Sequence, residues 1–114
     1  ISHNYHTGAS LYFTFGCRQL EGRELEQYLY IKKAAEDAFL QNGGTLSHHH
    51  AVGSEHLPWV EADISPTGVK AVCALKDGLD PKGVMNPGKI IPGPNPAEEW
   101  GLTQAAIQSF NKAD

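Results

Sequence analysis

The chain has 114 residues, 40% hydrophobic and 19% charged, with a formal net charge of −4. That length fits one domain, and that balance fits a folded chain and not a disordered one. No cluster of Lys and Arg offers a footprint for nucleic acid or an anionic membrane, and the longest apolar run is too short to span a bilayer.

The opening stretch Ser2-His3-Asn4-Tyr5-His6 is polar and rich in histidine. It reads as a loop, and a start of this kind suggests that sequence precedes it. No charged-then-apolar leader is visible, so a cytoplasmic setting is expected. Residues 9–17 read Ala-Ser-Leu-Tyr-Phe-Thr-Phe-Gly-Cys. Aromatic residues dominate and apolar side chains occur at successive positions, which predicts a strand covered on both faces.

Residues 24–41 are predicted as the clearest helix. Leu25, Tyr28, Leu29, Ile31, Ala35, Ala38 and Phe39 fall on one stripe, while Glu26, Lys32, Lys33, Glu36 and Asp37 are assigned mostly to water. Asn42-Gly43-Gly44 is the stop, because glycine tolerates the left-handed backbone that ends helices. Residues 45–47 form at most a short strand leading into His48, His49 and His50. A short helix is expected around Leu57-Pro58-Trp59-Val60. A second start follows at Ser65-Pro66, serine as cap and proline at the first helical position. Val69, Val72, Cys73, Leu75 and Leu79 make its inner face, and Asp80-Pro81-Lys82-Gly83 ends it as a turn. Residues 84–96 are proline-rich and extended, and residues 97–110 are assigned a last helix. Cys17 and Cys73 lack metal-ligand spacing and read as buried free thiols of a reducing compartment. The order of elements indicates an α+β fold, a small antiparallel sheet with helices on one face. Two strands do not make a stable sheet alone, so further strands are expected from upstream sequence or from a second copy.

Three segments can carry chemistry. Imidazoles exchange protons near neutral pH, and three in a row inside an apolar, Gly-bounded segment imply a use that offsets the cost of burying them. On an extended backbone His48 and His50 would face one way and His49 the other. Tyr5 is either a packing residue with a wet hydroxyl or a phenol placed to exchange a proton with a substrate carbon. His3 and His6 flank it. Lys89, at the end of a rigid turn, could reach an anion. A zinc site among the histidines is not expected, because neighbours on a strand face opposite ways and make poor joint ligands.

Gly43-Gly44-Thr45-Leu46-Ser47-His48-His49-His50-Ala51-Val52-Gly53 resembles the Gly-Gly-x-x-Ser-His-His-His-Gly-Val-Gly signature of alkyldihydroxyacetonephosphate synthases, in the vanillyl-alcohol-oxidase superfamily of FAD enzymes. Ser2 to Ala9 is similar to the Ser-His-x-Tyr-x-x-Gly-Ala stretch that precedes it there. Residues 79–89 resemble the Asp-Pro-x-Gly-x-x-Asn-Pro-Gly-Lys close shared more widely by FAD-linked oxidases. The 2-hydroxy-acid dehydrogenases of the superfamily usually show Glu-His-Gly at the triplet position.

The resemblance implies a cap domain over residues 1–91, a ferredoxin-like fragment, with residues 92–114 as a tail. It implies FAD held mainly by an upstream domain, and a small-molecule or lipid-like substrate. The implied reaction exchanges the acyl group of an acylated dihydroxyacetone phosphate for a fatty alcohol, with the flavin as scaffold and no net redox change. A redox enzyme passing hydride from a hydroxy acid or alcohol to the flavin is the alternative. Carried over, Tyr5 matches the proton-moving tyrosine, and His48, His49 and His50 match the essential triplet. His49 and His50 lie towards the flavin, and Asn86 and Lys89 lie where the chain returns to the FAD domain. A lipid substrate further implies peripheral membrane association of the parent, and the short sheet edge implies a homodimer of this piece. Ala51 stands where the family often has glycine, a small change. Ser54-Glu55-His56 replaces basic residues common in the animal enzymes, and the ending Lys112-Ala113-Asp114 is not of peroxisomal type, so a bacterial-type relative is expected.

Overall fold

The computed structural model describes residues 1–91. The expected helix of residues 97–110 therefore lies outside the described residues. Two three-residue strands, β1 (His3–Tyr5) and β2 (Gly8–Ser10), form an antiparallel hairpin in which His3 pairs with Ser10, Asn4 with Ala9 and Tyr5 with Gly8. Helix α1 spans Glu24–Gln41, a single 3₁₀ turn covers Leu57–Trp59, and α2 spans Val60–Leu79. Strands and helices together make the α+β class that the sequence indicates.

Two strand expectations need correction. Tyr5 belongs to β1 and not to a loop. The long strand of residues 9–17 is confined to its first two residues, and residues 11–20 carry no regular structure. A strand exists only where a neighbour takes its N–H and C=O groups, and β1 reaches only as far as Ser10. Cys17 consequently stands exposed and Cys73 half-buried, where both were expected inside.

Helix α1 has the predicted boundaries for local reasons. Glu24 and Glu26 place negative charge at the positive end of its dipole, and the Gly22 N–H donates to Glu24 Oε1 at 3.0 Å. At the other end the Gly44 N–H donates to Phe39 O at 2.8 Å and the Gly43 N–H to Leu40 O at 3.0 Å, with Gly43 at φ 77°. That is a Schellman close, and it requires the left-handed residue that glycine supplies. Its burial departs from the periodicity. Leu25 is 70% exposed, whereas Glu36, assigned to solvent, is 2% exposed. The polar face of α1 packs against residues 55–59, and the two-stranded hairpin leaves Leu25 uncovered.

Among the described residues the buried apolar core is Leu57, Trp59 and Val60. Trp59 reaches across to α1, donating its indole N–H to Asp37 Oδ1 at 2.7 Å. Helix α2 contains the predicted second start. Ser65 sits at φ 70°, ψ 160°, which kinks the helix, and its Oγ accepts from the Gly68 N–H at 3.3 Å. Asp80 closes α2, accepting from the Val84 N–H at 3.0 Å, from the Met85 N–H at 2.8 Å and from the Lys76 ammonium. Lys76 beside it, then the backbone N–H groups of Met85 and Val84, hold the Asp80 carboxyl below its usual value.

Candidate functional site

The hairpin, α1 and the loop after α1 surround an open cavity of about 1070 Å³. Phe13, Phe15, Ala35, Ala38, Phe39 and Leu46 give it an apolar side, and Tyr5, Tyr12, His48, His49 and His50 a polar one. The ring of Phe13 lies against Phe39, centroids 5.1 Å apart.

The triplet is exposed on this wall and not buried as its apolar setting suggested. Its backbone is also bent and not extended, because Ser47 Oγ accepts from the His50 N–H at 3.0 Å and curls the chain. The rings therefore do not alternate. His48 and His49 meet edge to face with centroids 5.1 Å apart, and their Nδ1 atoms are 2.8 Å from each other. His49 and His50 meet likewise at 4.3 Å. Gly53 at φ 58° and Ala51 at φ 64° then turn the chain towards the 3₁₀ turn.

Tyr5, 43 positions away in the chain, places its hydroxyl 2.6 Å from His48 Nε2. Tyr12 places its hydroxyl 2.7 Å from His49 Nε2 and 3.2 Å from His50 Nε2. Tyr12 was not singled out in the sequence, where it reads as one aromatic of a buried strand. In the sequence His3 reads as a neighbour of Tyr5 and, with His6, His48, His50 and His56, as a possible but disfavoured zinc ligand; its ring lies 4.8 Å from that of His48 and 5.4 Å from that of His49. Desolvation by this packing, then the charges of His50, His48 and His3, push the His49 imidazole below its ordinary value.

Nitrogens of His3, His48 and His49 lie within 4.8 Å of one another, the one group of metal-type ligands among the described residues. Adjacent histidines can thus face each other, contrary to the reasoning from an extended strand. Two nitrogens on one tetrahedral zinc stand roughly 3.3 Å apart, however, given the usual zinc–nitrogen length. The 2.8 Å between the two Nδ1 atoms is the spacing of a shared proton.

Beneath the triplet loop lies a charged cluster that the sequence did not single out. Lys32 Nζ contacts Glu36 Oε1 at 2.7 Å, Glu55 Oε1 at 3.5 Å and His56 Nε2 at 3.3 Å. His56 Nδ1 lies 3.1 Å from Val52 O, and the Tyr28 hydroxyl donates to Glu55 Oε1 at 2.6 Å. This cluster ties the backbone that leaves the triplet to α1. The hydrogen bond to Glu55, burial and the nearby carboxylates push the Tyr28 phenol up to about 12. The same bond, together with Lys32 and His56, lowers Glu55.

Asn86 and Lys89 are exposed and do not line the cavity. Asn86 adopts φ 48° and Gly88 φ 66°, so the segment is a rigid turn held from below by Asp80.

Comparison with known proteins gives this wall its context. The family of FAD linked oxidases, C-terminal domain, matches residues 1–90. The chain is 42% identical to an alkyldihydroxyacetonephosphate synthase of Trypanosoma brucei brucei over 108 residues, 95% of this chain and 18% of the relative. It is 42% identical to the synthase of Dictyostelium discoideum over 92 residues, 81% of this chain and 15% of the relative. It is 37% identical to the glycolate oxidase subunit GlcD of Bacillus subtilis over 72 residues, 60% of this chain and 15% of the relative. The chain thus spans less than a fifth of the length of these relatives. No solved structure is significantly similar to it. Across residues 1–90, which hold the hairpin, both tyrosines and the triplet, this chain belongs to the FAD linked oxidases, C-terminal domain family.

Proposed function

We propose that this chain is the substrate-side wall of an FAD-dependent enzyme resembling alkyldihydroxyacetonephosphate synthase, which exchanges acyl for alkyl on dihydroxyacetone phosphate. The observation that carries this reading is the 2.6 Å contact between the Tyr5 hydroxyl and His48 Nε2. A phenol hydrogen-bonded to an imidazole can pass its proton to that ring and take one from a substrate carbon. The residues fit one side of a flavin. Exposed imidazole and phenol groups on a single wall can donate to a ring carbonyl or to a phosphate, while nothing described here encloses a cofactor from the other side. FAD therefore belongs mainly to an upstream domain, and when bound it supplies an electrophilic ring to the substrate.

On this reading Tyr5 moves the proton and His48 receives it. His49 and His50 lie on the flavin side of Tyr5, and Asn86 and Lys89 face the FAD domain. The apolar side of the cavity, with Phe13, Phe15 and Phe39, suits an alkyl or acyl chain, and a lipid substrate draws the parent to a membrane surface. Tyr5→Phe and His49→Ala in the full-length enzyme each lower turnover more than about tenfold while FAD stays bound. Wild-type turnover in both variants refutes the assignment.

The likeness to a glycolate oxidase subunit supports a second reading, transfer of hydride from a hydroxy acid to the flavin. Flavin absorbance under anaerobic substrate separates the two. Bleaching by a hydroxy acid supports redox chemistry, and turnover without bleaching supports exchange.

A further inference from the structure

Tyr12 connects to Tyr5 without any direct contact between them. The path runs from the Tyr5 hydroxyl to His48 Nε2 at 2.6 Å, and from His48 Nδ1 to His49 Nδ1 at 2.8 Å. It continues from His49 Nε2 to the Tyr12 hydroxyl at 2.7 Å, and from there to His50 Nε2 at 3.2 Å. Each successive pair of atoms from the Tyr5 hydroxyl to His50 Nε2 lies within hydrogen-bond reach. A neutral imidazole has one donor and one acceptor nitrogen, and a phenol has both functions on one oxygen. The chain can therefore be polarised in a single direction from end to end, and reversed as a unit. His50, at the far end, is exposed to solvent.

We propose that Tyr12 is the outer link of a proton relay that starts at Tyr5 and releases its proton to water through His50. The proposal rests on the reading of Tyr5 as the group that takes a proton from substrate. In the starting state Tyr5 donates to His48 Nε2, His48 Nδ1–H to His49 Nδ1, His49 Nε2–H to Tyr12, and Tyr12 to His50 Nε2. The substrate C–H bond breaks, its electron pair stays on carbon, and its proton joins the Tyr5 oxygen. The Tyr5 proton moves to His48 Nε2, and the Nδ1 proton of His48 moves to His49. The Nε2 proton of His49 moves to Tyr12, and the Tyr12 proton moves to His50. His50 then gives its Nδ1 proton to water. One proton has entered and one has left, no net charge remains on the protein, and every hydrogen bond points the other way. Running backwards, the same relay returns a proton to carbon. Desolvation of His49, then the neighbouring His50, His48 and His3, disfavours a charge at the centre of the relay, which suits passage over storage.

Tyr12 is thus a positioning and relay residue that acts through His49 and His50. The test is Tyr12→Phe in the full-length enzyme, with Tyr5→Phe beside it. Rates are measured across mixtures of light and heavy water, and imidazole nitrogen resonances are recorded. Expected is a fall in kcat of about tenfold or more with unchanged KM. The dependence of rate on deuterium fraction, bowed in the wild type, becomes linear in the variant, because several protons no longer move together. The nitrogen resonances of His49 and His50 shift as their shared partner is lost. If Tyr12→Phe keeps the wild-type kcat while Tyr5→Phe is slow, the relay is wrong and the reading of Tyr5 stands. If both turn over normally, both are wrong. Zinc retained stoichiometrically after dialysis overturns the relay, since a metal would then occupy the place of the shared proton. Should Tyr12→Phe fold poorly, His50→Gln leaves that tyrosine ring in place. It makes the same dependence on deuterium fraction linear if the relay exists, and leaves that dependence bowed if it does not, whatever happens to kcat.

Discussion

Ala51 shows how one residue can bear more than its size suggests. It follows the triplet at φ 64°, a conformation in which a Cβ crowds the backbone and which glycine takes freely. The resemblance to the synthases places glycine there, and the exchange for alanine looks small on paper. In the folded chain it stores strain one bond from His50. Ala51→Gly is expected to raise stability by about 1 kcal/mol, offset in part by the added freedom of the unfolded chain. Thermal denaturation of the full-length protein checks it. An unchanged or lowered midpoint would show that the turn is not under strain.

Helix α1 is the element that holds the site in place, and it does so with charge. Glu36 is almost fully enclosed, its Oε1 is met by Lys32 and His56, and its Oε2 has no partner among the described residues. Removing one partner of a buried pair leaves the other charge uncompensated, which costs more than the pair contributes. Lys32→Met is therefore expected to cost about 3 kcal/mol, read as a lower denaturant midpoint. A loss below half of that would mean that water reaches Glu36. Tyr28, on the same helix, makes a pH test. Its phenol is raised from 10.0 to about 12 in the fold, so the folded chain holds this proton more tightly than the unfolded one. The resulting stabilisation is complete below pH 10 and is lost as pH climbs from there towards about 12. Unfolding followed across that range should show a steeper alkaline decline in the wild type than in Tyr28→Phe. Parallel curves would remove Tyr28 from the account.

At the scale of the molecule, the described residues form a wall and not a container. The buried apolar core is three residues, while Phe13 and Phe15 are more than half exposed beside the cavity. Large apolar side chains of this kind want a cover, and a flavin pocket buries most of its ligand. This chain alone is expected to bind FAD more weakly than micromolar, measured by calorimetry. Tight binding by the isolated chain would mean that it encloses the cofactor without a second domain.

Much of the local structure was legible beforehand. The span of α1, its Gly43-Gly44 close, the Ser65-Pro66 restart and the turn after Asp80 all follow from caps and backbone preferences that act within a few residues. The tertiary structure decided which faces turn inward and which side chains meet. Periodicity shows that α1 has two faces, but only the polar loop lying beside it explains why Glu36 is enclosed and Leu25 is not. An extended backbone would have spread the three imidazoles apart. The Ser47 bend brings them together, and the hairpin sets Tyr5 and Tyr12 against them across roughly forty positions of chain. Such meetings depend on the path of the whole polypeptide, for which spacing along the sequence holds no local signal.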